Sequence, residues 1–186
     1  AGVELRQPIC VGLVGCSWFA QRAHVPALLR LEAAGRCSLV AVCSRTRKSM
    51  ARVEALAGRQ LVRHASMGAM FADAAVDVVL LVLPIPIMAD AIAAALRAGK
   101  HVISEKPLAA SLHDGLRLLQ LHATMDHVGG GGRTIPGAVS WSVSENWAHK
   151  PAVVWLRERL DEGAIGRVLA AECSALDGEL PTGGGP

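Results

Sequence analysis

A glycine-containing turn near the amino terminus is the first segment whose residue types and spacing could do chemistry. It reads Gly12-Leu-Val-Gly15-Cys-Ser17-Trp-Phe-Ala20 and joins an apolar run to a stretch with helical spacing. Glycine permits a tight turn, and free N–H groups at a helix start bind the diphosphate of a dinucleotide. Gly15 and Ala20 match the first and third positions of Gly-x-Gly-x-x-Gly/Ala, while Ser17 replaces the second glycine and offers a hydroxyl donor. The turn predicts a dinucleotide site, and a tight turn without a ligand is the alternative.

Hydroxyl and basic residues follow the second apolar run, in the order Cys43-Ser44-Arg45-Thr46-Arg47-Lys48. A site for NAD places a carboxylate here to accept hydrogen bonds from the ribose 2′-hydroxyl. This chain has no acid at that point, and the Arg45 guanidinium suits a 2′-phosphate and can stack on adenine. The segment favours NADP, with NAD as the second choice. The alternative is a solvated helix start.

A third segment, Glu105-Lys106-Pro107, follows a short strand-like run. Ligands of open α/β sheets bind beyond such strand ends. A lysine there can donate a hydrogen bond to a substrate oxygen and stabilise the negative charge that develops during hydride transfer. Pro107 restricts the backbone and could fix the direction of Lys106. By itself, a lysine beside a proline is more often a solvated surface residue.

These three segments require a scaffold of alternating strands and helices. Apolar runs predict strands at Ile9–Val14, Ser38–Cys43, Leu61–His64, Asp77–Leu83 and His101–Ser104. Helical spacing predicts helices at Trp18–Leu31, Arg47–Leu56, Ile87–Arg97 and Ser111–Thr124, with Pro26 bending or interrupting the first. The run at Asp77–Leu83 is apolar on both faces, as in a central parallel strand. The pattern predicts an α/β fold with a doubly wound parallel Rossmann sheet.

The pattern changes after Asp126. The expected elements are a glycine loop at Gly129–Gly132, a strand at Ala138–Asn146, a helix from Pro151 to Glu162 and a strand at Gly166–Cys173. We therefore predict a dinucleotide-binding domain over residues 1–127. Residues 128–186 are expected to begin a second, α+β domain for substrate and oligomer contacts.

Composition excludes several classes of function. The chain has 186 residues, 52% hydrophobic and 19% charged, and its net charge of +3 is too small to indicate nucleic-acid binding. The longest apolar run is too short to cross a bilayer, so no membrane partner is expected. The five cysteines lack metal-site spacing and favour buried, reduced thiols in a cytoplasmic protein, with no metal site. A lost presequence is the alternative to that localisation.

Taken together, the segments resemble the Gfo/Idh/MocA family of NAD(P)-dependent oxidoreductases. The resemblance rests on the glycine turn, on Ser44-Arg45, on Val-Asp-Val-Val-Leu-Leu-Val-Leu-Pro ending at Pro84, and on Ala-Gly-Lys-His-Val-Ile-Ser-Glu-Lys-Pro-Leu-Ala around Lys106. It implies hydride transfer between a nicotinamide cofactor and a sugar- or polyol-like hydroxyl or carbonyl. It also implies that the parent enzyme is a homo-oligomer.

The resemblance assigns roles to individual residues. It implies that the diphosphate lies against Gly15, Ser17, Trp18, Phe19 and Ala20. Ser44 and Arg45 would hold the adenosine end, and Leu83 with Pro84 would cover the cofactor. Glu105 and Lys106 would face the nicotinamide and substrate, with Lys106 as the catalytic residue, and Asn146 would approach the nicotinamide ribose.

One departure concerns the end of the chain. In the family, a glycine stretch like Gly183–Gly185 precedes a helix with an Asp and a proton-transferring His, whereas this sequence stops at Pro186. We therefore expect the cofactor-binding half of such an enzyme. The alternative is an inactive dinucleotide-binding module that acts as a sensor or interaction protein.

Overall fold

The computed structural model describes residues 8–125 and 138–172, and in these ranges a single parallel sheet has the strand order β3-β2-β1-β4-β5-β6. Its strands are β1 (Ile9–Val14), β2 (Cys37–Cys43), β3 (Val62–His64), β4 (Val78–Leu81), β5 (His101–Ser104) and β6 (Trp141–Val143). The chain runs outward from β1 to β3, returns to β4 beside β1, and continues to β6. The order thus reverses between β1 and β4, where such sheets bind ligands. The predicted doubly wound parallel sheet is confirmed.

Helices cover both faces of this sheet. They are α1 (Val25–Ala33), α2 (Arg47–Ala57), α3 (Met67–Ala72), α4 (Ile85–Arg97) and α5 (Leu112–Thr124). One buried cluster joins β1, β2 and β4 to α3, α4 and α5 through residues such as Val14, Leu81 and Ile92. The other joins these strands to α1 and α2 through residues such as Leu13 and Leu80. Adjacent strand residues thus face opposite clusters, which explains why β4 is apolar throughout.

The first predicted helix contains a π-helical turn, Ala20–His24, before α1. The Val25 N–H donates to the Ala20 carbonyl, five residues earlier, instead of the usual four. Pro26 lies in the first turn of α1, where its missing N–H is tolerated. The interruption expected near Pro26 therefore occurs just before it, as a widened turn.

Side-chain hydrogen bonds stabilise helix α2 and its contact with β3. Thr46 caps α2, since its hydroxyl accepts from the Ser49 N–H at 3.3 Å, and Gly58 ends the helix with φ +66°. The Glu54 carboxylate accepts from Arg63 Nε at 2.9 Å and joins α2 to β3. The Arg63 guanidinium, through this bond, lowers the pKa of the Glu54 carboxyl.

A buried lysine organises the turn that leads into β4. Lys100 Nζ donates to the main-chain carbonyls of Asp73 and Val76, each at 2.6 Å. Burial lowers the pKa of the Lys100 ammonium, although Asp73 and Asp77 partly offset this effect. The Asp77 carboxylate accepts from the Cys10 N–H at 2.9 Å. Charged side chains thus hold the amino end of the sheet, opposite the predicted site.

Several sequence predictions need correction. Helix α3 was missed because six residues are too few for a periodic signal. The predicted strand Ala138–Asn146 shortens to β6, which pairs with β5. The predicted strand Gly166–Cys173 is wrong over 166–172, which are exposed and carry no strand; Cys173 lies outside the described residues, as does the predicted Gly129–Gly132 loop.

The chain divides into two compact units, the first ending at Glu145 and the second beginning at Asn146. The second unit contains a 3-10 turn, Trp147–His149, and helix α6 (Pro151–Asp161), which agrees with the predicted helix. The domain boundary after residue 127 stays a prediction. Among the described residues, no helix is long and apolar enough to cross a bilayer.

Candidate dinucleotide site

The glycine turn follows β1 at the point where the strand order reverses, and it packs between the ends of β2 and β4. The Gly15 N–H donates to the Cys43 carbonyl and the Val82 N–H to the Val14 carbonyl, both at 2.8 Å. Gly15 has φ +93°, and a Cβ there would stand 2.1 Å from the Val82 carbonyl oxygen. Only glycine fits this position, on grounds of both conformation and space.

Ser17 opens the helical stretch after the turn. Its Oγ accepts from the Ala20 N–H at 3.2 Å, and its carbonyl accepts from the Gln21 N–H at 3.0 Å. The hydroxyl is exposed, and its own proton is not used in this capping bond. Ser17 therefore combines a cap with a donor that faces solvent.

The next three residues divide between surface and core. Trp18 and Phe19 are 71% and 43% exposed, whereas Ala20 is fully buried in the cluster with α1. Ala20 thus permits close helix–sheet packing and does not present its side chain to a ligand. The Arg22 guanidinium stacks 5.6 Å from the centre of the Trp18 ring, which places a cation near the helix start.

Ser44 and Arg45 follow β2, as the sequence predicts. The Ser44 Oγ accepts from Ser49 Oγ at 2.9 Å, so the hydroxyl is tied to the first turn of α2. Arg45 is exposed. The predicted adenosine end therefore has a fixed hydroxyl at Ser44 and an exposed cationic residue at Arg45.

Leu83 and Pro84 lie where β4 leads into α4. Leu83 is half-buried, with Cδ2 only 3.3 Å from the position that a Gly15 Cβ would take. Pro84 is exposed and directly precedes α4. The structure thus brings Leu83 against the glycine turn.

Glu105 and Lys106 follow β5. The Glu105 N–H donates to the Leu81 carbonyl at 3.0 Å and continues the sheet one residue past the strand. The residue is 9% exposed, and its carboxylate accepts from the Lys106 N–H at 3.1 Å. Lys106 itself is exposed, and its bond to Pro107 is cis.

His24, which sequence reasoning did not select, also contacts this segment. Its Nε2 lies 2.8 Å from Glu105 Oε1, and the Phe19 ring meets the imidazole edge-to-face at 5.4 Å. The two partners are 81 residues apart, so no local pattern reveals the pair. The π-helical turn that ends at His24 likewise has no spacing signal.

Cysteine chemistry contributes nothing reactive to this turn. Cys16 is 1% exposed, and burial, aided by neighbouring Cys43, raises the pKa of its thiol to about 12. Cys16, Cys37 and Cys43 are buried thiols, as predicted, and Cys10 is half-buried.

Asn146 belongs to the second unit, as the residue before the 3-10 turn. Its place beside the nicotinamide ribose stays a prediction. The other predicted site residues follow the carboxyl ends of β1, β2, β4 and β5. Because the strands are parallel, these ends share one edge of the sheet.

A parallel sheet of this order with a glycine turn at its switch point defines a dinucleotide-binding Rossmann domain. The sequence profile described as "Oxidoreductase family, NAD-binding Rossmann fold" matches residues 9–129, more than half of the chain. The chain therefore belongs to the Gfo/Idh/MocA oxidoreductase family, and the resemblance seen in its sequence is confirmed.

Individual relatives are similar over most of this chain. A dTDP-3,4-didehydro-2,6-dideoxy-alpha-D-glucose 3-reductase from Streptomyces violaceoruber is 32% identical over 92% of the chain and 45% of its own length. The crystal structure of KijD10, a 3-ketoreductase from Actinomadura kijaniata in complex with NADP, is 31% identical with a TM-score of 0.66, covering 86% of this chain and 46% of that one. An oxidoreductase from Thermotoga maritima is 30% identical with a TM-score of 0.73, covering 86% and 45%. The chain spans about half the length of the curated relatives it matches.

Proposed function

We propose that this chain binds NADP(H) and supplies the cofactor half of an oxidoreductase that interconverts a carbonyl and a hydroxyl on a sugar. The observation that carries the proposal is the Gly15 turn, where the backbone leaves no room for a side chain. Such a turn lets a diphosphate approach the main chain at the start of a helix. Relatives that include an NADP-bound 3-ketoreductase support the choice of cofactor.

The residues present fit a dinucleotide along the carboxyl edge of the sheet. Gly15 and Ser17 would hold the diphosphate, and Arg45 would pair with the 2′-phosphate after β2. Leu83 would cover the cofactor beside the turn, and Glu105 with Lys106 would stand at the nicotinamide end after β5. When bound, the cofactor supplies or accepts the hydride at the substrate carbon.

Lys106 performs the complementary step at the substrate oxygen. In the direction of reduction, its ammonium donates a hydrogen bond to the carbonyl oxygen and delivers the proton that the new hydroxyl requires. A positioned acid of this kind contributes about 10²- to 10⁴-fold to the rate. An open depression of about 490 Å³ adjoins Lys106, and most of its lining is apolar, including Pro107, Leu108 and Val143. Such a lining suits a deoxygenated sugar carbon, as in the substrates that the reductase relatives are named for.

Cofactor choice is tested by titrating the protein with NADPH and NADH and following nicotinamide fluorescence. We expect tighter binding of NADPH. Arg45→Ala should weaken NADPH binding about 10- to 100-fold, because a charge-assisted hydrogen bond is lost, and should leave NADH binding nearly unchanged. Arg52→Ala is the matched control, since Arg52 is exposed on α2 and its loss changes the net charge equally. Tighter NADH binding, or equal effects of the two substitutions, would contradict the proposal.

Catalysis is tested separately through Lys106. Lys106→Ala should leave NADPH affinity unchanged and reduce the oxidation of NADPH by a dTDP-linked keto sugar at least a hundredfold. Lys106→Arg keeps the positive charge but cannot release a proton near neutral pH, so it should fail similarly. If the protein without substitutions binds NADPH but does not oxidise it, the result would instead favour an inactive dinucleotide-binding module.

A further inference from the structure

The carboxylate of Glu105 links two parts of the site that are distant in sequence. Oε1 lies 2.8 Å from His24 Nε2, and Oε2 accepts the Lys106 N–H at 3.1 Å. The side chains of His24 and Glu105 are only 16% and 12% exposed, so water competes weakly for this contact. One carboxylate therefore connects the helix that follows the glycine turn to the peptide of the proposed catalytic residue.

Both ends of this connection are fixed by other contacts. The Glu105 main chain is held to β4 by its bond to the Leu81 carbonyl. On the other side, the Phe19 ring packs against the imidazole of His24 at an interplanar angle of 83°. The π-helical turn adds one residue between Phe19 and α1, and each residue rotates a helix by about 100°. The extra residue thus sets the direction in which His24 leaves the helix, and such turns recur at functional sites.

Within the part of the chain that the structure describes, the Glu105 carboxylate forms no ion pair with the side chain of Lys106. Among the ion pairs formed by residues 8–125 and 138–172, none joins Glu105 to the Lys106 ammonium. Glu105 uses its two oxygens on the imidazole and on the main-chain N–H. It therefore orients the backbone of Lys106 without neutralising the charge that would meet a substrate oxygen.

We propose that His24 is a positioning residue, which acts through the Glu105 carboxylate to fix the Lys106 peptide and to couple it to the diphosphate-binding helix. The inference rests on the proposed function for its catalytic meaning. Its structural part, the restraint of the Lys106 peptide by His24, is independent of any cofactor. A misplacement of about 1 Å in a catalytic group can cost about a hundredfold in rate, so such a restraint has consequences.

The restraint is tested by amide hydrogen exchange at Lys106, measured by NMR on the full chain without ligand. His24→Ala should make the Lys106 amide exchange about tenfold faster, since its acceptor is no longer held. His24→Gln can still donate a hydrogen bond to Glu105 and should restore most of the protection. Unchanged exchange in His24→Ala, or equal acceleration throughout the sheet, would overturn the proposal.

A second His–carboxylate pair provides a matched control. His64 Nε2 lies 3.0 Å from Asp73 Oδ2, and these side chains are 13% and 24% exposed, so this pair is also partly buried. His64→Ala should therefore cost similar stability and leave the exchange rate of the Lys106 amide unchanged. Faster exchange at Lys106 in both variants would mean that the effect is global and would refute a specific role for His24.

The effect of His24 on catalysis is tested by comparing the change in kcat with the change in the KM for NADPH. His24→Ala should lower kcat for NADPH oxidation about 10- to 100-fold and leave the KM for NADPH within about twofold, with recovery in His24→Gln. Equal losses in kcat and NADPH affinity would overturn the positioning role. If the protein without substitutions binds no NADPH but the Lys106 amide still exchanges faster in His24→Ala, the proposed function is wrong. The restraint of the Lys106 peptide by His24 is then still supported.

Discussion

Replacement of Gly15 by alanine probes the physical basis of the candidate site most directly. Alanine at φ +93° costs about 1–2 kcal/mol from backbone conformation alone. The new Cβ would also stand 2.1 Å from the Val82 carbonyl oxygen and 2.8 Å from its carbon, and these main-chain atoms cannot rotate away. The strands must separate, which weakens the bonds from Gly15 N–H to Cys43 and from Val82 N–H to Val14, at about 0.5–1.5 kcal/mol each. Together these contributions reduce the free energy of unfolding by roughly 2–5 kcal/mol.

Gly58→Ala provides the control for backbone conformation. Gly58 has φ +66°, and no atom lies within 4 Å of the position its Cβ would take, so only the conformational cost of about 1–2 kcal/mol applies. Urea unfolding followed by far-ultraviolet circular dichroism measures both variants. With a slope of about 2 kcal/mol per M, the midpoint should fall by about 1–2.5 M for Gly15→Ala and by about 0.5–1 M for Gly58→Ala. NADPH should raise the midpoint of Gly58→Ala and have no effect on Gly15→Ala. Equal urea midpoints for Gly15→Ala and Gly58→Ala would refute the argument that the Val82 carbonyl leaves no room for a side chain at residue 15.

Other groups give predictions that do not depend on the cofactor. Burial raises the pKa of the Cys16 thiol to about 12 from an ordinary 9.0. Iodoacetamide at pH 8 should therefore label Cys16 about a thousandfold more slowly in the folded chain than in urea, as measured by mass spectrometry. Equal labelling rates in the two states would mean that the Cys16 thiol is exposed in the folded chain. Lys100→Met leaves one buried and one partly buried carbonyl without their donor and should lower the free energy of unfolding by about 2–4 kcal/mol. A loss below about 1 kcal/mol would mean that water replaces the ammonium. The pKa of the Glu54 carboxyl is lowered by Arg63, so its stabilising contribution is complete above about pH 4.5 and is lost as the pH falls through the lowered pKa. Acid titration of Glu54→Gln should therefore show a shallower loss of stability, and an unchanged profile would contradict the pairing.

The sheet and the placement of its motifs could be predicted because they depend on local patterns. A run apolar on both faces, such as Asp77–Leu83, has few solutions other than a strand covered by helices on each side. Once the strands are parallel, residues that follow them lie on one edge, whatever their distance in sequence. The order of the elements alone therefore predicts that Gly15, Arg45 and Lys106 lie at one edge of the sheet.

The contacts within the site could not be predicted in the same way. The distance between His24 and Glu105 depends on how α1 packs on the sheet and on one additional residue in a helical turn. The burial of Ala20 beside the exposed Trp18 also depends on that packing. Sequence spacing defines which residues share an edge of the sheet, and tertiary packing defines which of them touch.

Main-chain hydrogen bonds across the ends of the strands make that edge a single rigid support. The Gly15 N–H binds the end of β2, the Val82 N–H binds the end of β1, and the Glu105 N–H binds the end of β4. Each bond extends the sheet one residue into a loop that carries part of the candidate site. The proposed adenosine end after β2 and the lysine after β5 are thus separated by three strand spacings, roughly 14 Å, which the backbone fixes. Because that separation does not depend on side chains, substitutions at Arg45 or Lys106 should alter chemistry at one end only, whereas Gly15→Ala disturbs both.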